Sequence, residues 1–91
     1  MKPKQARRIA RQMHLARSFA KLTAGANYSA EIAKRRVIIE KMVAESGGSI
    51  TDAAFGLVLS IRLNRPKNSK TEQNYILAAA VEMIEPSEGG K

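Results

Sequence analysis

The side chains best placed to do chemistry in this chain are its cations. Between Lys2 and Leu22 stand Lys2, Lys4, Arg7, Arg8, Arg11, Arg17 and Lys21, with no Asp or Glu among them. Helical spacing stacks Arg7, Arg11, His14 and Lys21 at i, i+4, i+7 and i+14, with Lys4 on the same side and Arg8 and Arg17 at the flanks. A column of this kind can lie along a phosphate backbone, where each neutralised phosphate releases condensed counterions. Arg outnumbers Lys in it, and a guanidinium grips phosphate through two parallel hydrogen bonds and also stacks on bases. A face that is merely solvated mixes charges of both signs; this one holds no acid.

A second basic group follows later. Arg62, Arg65, Lys67 and Lys70 surround a loop and the start of the last helical segment, where helix-terminal N–H groups favour anions. Gln73 and Asn74 come next, and amide side chains read adenine when a groove holds them. The expected nucleic-acid contacts are therefore Lys4, Arg7, Arg8, Arg11, His14, Arg17, Lys21, Arg62, Arg65, Lys67, Lys70, Gln73 and Asn74.

Other chemistries lack their parts. With no Cys there is neither a disulfide framework nor a thiolate metal site. His14 is the sole histidine and has no acid near it in sequence, so neither a nucleophile–base pair nor a metal site can be assembled around it. Gly47-Gly48 reads as a helix stop, not as a phosphate-cradling loop. No catalytic residue, metal or cofactor is expected, and the chain does not read as an enzyme.

The formal charge of +8 in 91 residues creates a positive field that favours polyanions. It is graded: residues 1–30 contain no acid, whereas 71–91 carry Glu72, Glu82, Glu85 and Glu88 against Lys91. The expected function is that of a small basic nucleic-acid-binding protein, regulatory in kind, contacting DNA or RNA mainly through phosphates. The alternative is a non-enzymatic interaction or inhibitor protein that binds an acidic surface of a protein partner. A membrane is not expected. The longest apolar run, residues 53–61, is about half the ~18 residues that a span needs, and no signal-peptide core opens the chain. An interfacial role for the basic helix conflicts with the need for its apolar face in the core. The expected location is the cytoplasm.

These residues must be positioned by helices. Pro3 suits a first helical turn, and Lys4 to about Thr23 alternates Ile9, Met13, Ala16, Phe19 and Ala20 with the cationic side, ending at Gly25. Ser29 is the expected N-cap of a second helix over 30–46, stopped by Gly47. Within it, Glu31 and Arg35 stand at ion-pair spacing, so the triplet Lys34-Arg35-Arg36 reads as structural. Ser49 and Asp52 mark the start of a third segment over 50–64. It is apolar nearly all round and therefore expected to be a buried helix, with a strand over 57–63 as the alternative. Ser69 and Glu72 form a capping box for a last helix to about Glu85, which Pro86 ends.

The fold class expected is all-α: a small bundle of about four helices forming one domain over 1–85, with 86–91 a frayed tail. The expected core is Ile9, Met13, Phe19, Ile32, Ile39, Met42, Val43, Phe55, Leu57, Val58, Leu59, Ile61, Tyr75, Ile76, Ala80, Met83 and Ile84. The turn between the second and third segments has helix-turn-helix length, but the helix after it offers only apolar residues to a groove. Val37 and Ile38 lie off the second helix's stripe. With the all-apolar third segment, they predict self-association as a homodimer.

Overall fold

The computed structural model describes residues 3–63 and 69–85, apart from the side chains of Ile61 and Arg62. Pro3 opens α1 (Pro3–Ala24), at a position where its missing N–H has no helical partner to lose. Gly25, at φ 57°, ends the regular turns, and a single 3-10 turn over Gly25–Asn27 leads directly into α2 (Tyr28–Ser46). The N–H of Tyr28 donates to the carbonyl of Gly25, so helical hydrogen bonding carries through the bend. The expected cap at Ser29 is therefore unused. That residue lies inside α2, and Asn27 in the cap position makes no side-chain cap bond either.

The other boundaries follow their local chemistry. Gly47 adopts the left-handed conformation (φ 72°), and its N–H closes on the carbonyl of Val43 at 2.9 Å. Two residues later Ser49 and Asp52 cap α3 (Ile50–Arg62) reciprocally. The N–H of Asp52 donates to Ser49 Oγ at 3.1 Å, and the N–H of Ser49 donates to Asp52 Oδ2 at 3.4 Å. Ser69 caps α4 (Lys70–Ile84) by accepting from the N–H of Glu72 at 3.2 Å. The Glu72 carboxylate does not complete that box; it reaches α2 instead.

Helical residues thus fall in three uninterrupted runs, with the first bent between α1 and α2, where the sequence suggested about four separate helices. No strand occurs among the described residues, and 57–62 is helical. The strand alternative there is excluded.

The packing corrects a second expectation. The central helix is α4, which buries Gln73 and everything from Tyr75 to Val81. Ala78, Ala79 and Ala80 are all fully buried. Successive helical residues point ~100° apart, so α4 is covered on several sides at once, by α1, α2 and α3. Alanine makes this possible, because its small side chain lets neighbouring helices come close. The apolar α3 is peripheral: it buries Ala54 and Val58 and half-buries Phe55, Leu57 and Leu59. Its bulk covers one side of the core without needing to be surrounded.

From α1 the core takes Ile9, Met13, Ala16 and Ala20; from α2 it takes Ile32 and Ile39. Phe19 and Ile84, expected inside, are 50% and 38% exposed. Phe19 sits roughly 90° round the helix from the centre of α1's buried stripe. The radius of gyration, 12.5 Å, matches the ~12 Å of a compact chain of this length.

Candidate functional site

The fold divides α1's cations into two groups. Along its first half, Lys4, Arg7, Arg8 and Arg11 are exposed. Among the described residues none of these four has a hydrogen-bond, ion-pair or ring partner. They form an uncompensated cationic surface.

The second half of α1 is used internally. Arg17 Nη1 donates to the main-chain oxygen of Glu85 at 3.2 Å and lies 3.8 Å from Glu82 Oε2. The guanidinium thereby caps the C-terminal end of α4, where unpaired carbonyls carry partial negative charge. Its Nη2 stands 3.3 Å from His14 Nδ1. The other ring nitrogen of His14, Nε2, faces Glu85 Oε1 at 3.7 Å. The acid that sequence proximity did not supply to His14 comes from the far end of the chain. Lys21 Nζ lies 5.6 Å from the centre of the Tyr28 ring. The Tyr28 hydroxyl donates to Glu82 Oε2 at 2.7 Å, and burial first, then this bond to a carboxylate, push the phenol well above its ordinary pKa.

On α2, Arg35 joins two helices. Its Nε and Nη2 donate to the two oxygens of Glu72 at 2.9 and 2.5 Å, while Nη1 binds the carboxylate of Glu31 and its carbonyl oxygen. The guanidinium lies 4.7 Å over the Tyr75 ring. The bond to Arg35 holds the Glu72 carboxyl below the usual range, against an opposing effect of burial, and raises the Arg35 pKa in turn. Lys34 adds a contact to Glu31 at 3.9 Å. The basic triplet on α2 is structural at Arg35, as its spacing suggested.

The acids of α4 and its C-cap each face a ring or guanidinium from α1 or α2: Glu72 meets Arg35, Glu82 meets Arg17, and the Glu85 carboxylate meets His14, while Arg17 takes the Glu85 main-chain oxygen. Glu72 and Glu82 are thus engaged between helices, while the Glu85 side chain stays largely exposed. Among the described residues, the cations left exposed without a partner are Lys4, Arg7, Arg8 and Arg11 on α1, Arg36 and Lys41 on α2, and Lys70 on α4; the four on α1 form the largest group.

The later basic group is only partly placed. Lys70 is exposed at the start of α4. The side chain of Arg62, and Arg65 and Lys67 entirely, lie outside the described residues. Gln73 is buried, at 9% exposure, so it does not stand free to enter a groove; Asn74 is half-buried. Both line a cavity of about 200 Å³ between α1, α3 and α4, together with Gln12, Leu15, Phe19 and Lys70. An exposed apolar group stands beside it. Leu15, Phe19 and Leu22, at i, i+4 and i+7, are 51%, 50% and 80% exposed. These are the side chains an interfacial helix would use as anchors; of the three, only Phe19 was expected in the core.

No set of three or more His, Asp or Glu side chains among the described residues is arranged to hold a metal ion. No described helix is long and apolar enough to cross a membrane. No family model, curated protein or solved structure matches the chain.

Proposed function

We propose that this protein binds nucleic acid, chiefly through its phosphates, with the first half of α1 as the contact surface. One observation carries the reading. The fold engages Arg17 and Arg35 with carboxylates of α4 and leaves Lys4, Arg7, Arg8 and Arg11, four cations along one helix with no acid among them, exposed and without partners among the described residues. Four such charges at helical spacing repel one another unless a polyanion lies across them. Lys70, exposed at the N-terminus of α4, extends the positive surface. The role is that of a binder without catalysis.

The test is direct titration of labelled random-sequence DNA and RNA at low salt, with the parent and with a Lys4→Ala/Arg7→Ala/Arg11→Ala variant. Each lost charge-assisted phosphate contact weakens binding by about 1 kcal/mol or more. The fold survives, because these side chains are exposed and alanine is the best helix former. A folded variant that binds like the parent removes the site.

A second reading has its own observation. Leu22 is 80% exposed on the same helix, and an apolar residue beside cations also suits an acidic protein surface. Absence of nucleic-acid binding by the parent favours that partner. Val37 and Ile38, 63% and 39% exposed on α2, support the further proposal that two copies associate, which sedimentation at tens of micromolar tests.

A further inference from the structure

One strip of α1 changes character along its length. At ~100° per residue, Lys4, Arg8, Arg11, Leu15, Phe19 and Leu22 fall within a sector about 80° wide. The N-terminal part of the strip is cationic and the C-terminal part apolar, and both parts are exposed. Beside the apolar part opens the cavity between α1, α3 and α4. Its walls are Leu15, Phe19 and Leu77, and its polar groups are the amides of Gln12, Gln73 and Asn74 and the ammonium of Lys70.

Resting on the nucleic-acid reading, we infer that this cavity takes an unstacked base of a single strand whose phosphates run along Lys4, Arg8 and Arg11. Three observations support this occupant. The cavity, about 200 Å³, is smaller than the ~300–1,000 Å³ that encloses a drug-sized ligand, and so fits one flat ring system. Its chemistry suits a base, with Phe19 for the π face, the Asn74 amide for the ring edge and Lys70 for the neighbouring phosphate. The charge is also complementary along the strip. Phe19 lies eight residues beyond Arg11, ~12 Å along the axis, so a strand lying on the cations continues towards the cavity. In a duplex the bases are paired and cannot reach the cavity, so the protein should prefer single strands.

The experiment measures fluorescence anisotropy with three labelled probes of equal phosphate count: a thymidine oligonucleotide, its abasic counterpart and a hairpin duplex. The parent is expected to bind the thymidine strand roughly tenfold more tightly than the abasic strand, in line with base–aromatic stacking. Phe19→Ala should abolish that difference while leaving abasic and duplex binding unchanged, and Phe19→Tyr should restore it. Phe19 is half-exposed, and a circular dichroism melt confirms that each variant is folded. Equal affinity of the parent for thymidine and abasic strands overturns the inference while leaving phosphate binding in place, and so does Phe19→Ala weakening all three probes alike. Failure of the parent to bind any probe overturns both readings. Binding of an acidic amphipathic peptide that Phe19→Ala abolishes, with no thymidine–abasic difference, assigns the cavity to a protein instead.

Discussion

Replacing Arg35 with Ala should be among the most damaging changes to a charged residue in this protein. Its side chain is 14% exposed and holds two carboxylates, of Glu31 and Glu72, that are 28% and 29% exposed. The pairs therefore lie between two regimes. Exposed ion pairs contribute ~0–1 kcal/mol, whereas breaking a buried pair costs ~3–5 kcal/mol because a charge is left without compensation. The bidentate geometry and the stacking on Tyr75 at 4.7 Å place the loss near the middle, at about 2–3 kcal/mol. A domain of this size shifts its Tm by ~4–8 °C per kcal/mol, so Arg35→Ala should melt about 10–20 °C below the parent. Circular dichroism melts at neutral pH measure this. Arg35→Lys should recover only part of the loss, since an ammonium cannot match the fork that binds both Glu72 oxygens. A fall of less than 3 °C for Arg35→Ala would show that the α2–α4 contact rests on apolar packing alone.

The remaining predictions concern stability and its pH dependence. Because Arg35 holds the folded-state pKa of Glu72 below its ordinary value of 4.5, the pair's contribution is fully present above that value and is lost as pH falls through the depressed one. Glu72→Gln should therefore lower Tm at pH 7 and flatten its decline below pH 4.5; a parallel decline in both proteins would refute the linkage. Gly47→Ala should cost about 1 kcal/mol, because φ is 72° with open space around the position, so the cost is purely conformational. Gly56→Ala, inside α3 with nothing within 4 Å of the added carbon, should instead stabilise by ~0.5–1 kcal/mol. Denaturant titrations of the two variants should move in opposite directions. Arg17→Ala should lower Tm by removing the cap on α4, while Arg11→Ala should leave it unchanged.

Local signals were the most legible part of the fold. Gly47, Ser49 with Asp52, and Ser69 set helix ends by chemistry within a few residues, and all three act as their positions suggest. Ser29 failed because capping is needed only where helical hydrogen bonds are interrupted, and the 3-10 turn does not interrupt them. Centrality was not legible. Hydrophobicity pointed to α3, but the centre goes to the helix that many neighbours can approach, which Ala78–Ala80 permit in α4. For the candidate surface, charge density singled out α1 but could not divide its cations. Separating Arg17 and His14 from Arg7 and Arg11 requires knowing that Glu82 and Glu85 fold back onto α1, and no local spacing encodes that.

The central claim is that the first half of α1 is the phosphate-binding surface. It is tested most directly by the salt dependence of single-strand binding in the parent and in Arg7→Ala/Arg11→Ala. Each phosphate contact contributes about −0.7 to the slope of log affinity against log salt for single strands. The double variant should therefore bind more weakly, with a slope shallower by about 1.4, and should melt at the parent's temperature. A folded double variant that keeps the parent's slope would contradict the claim.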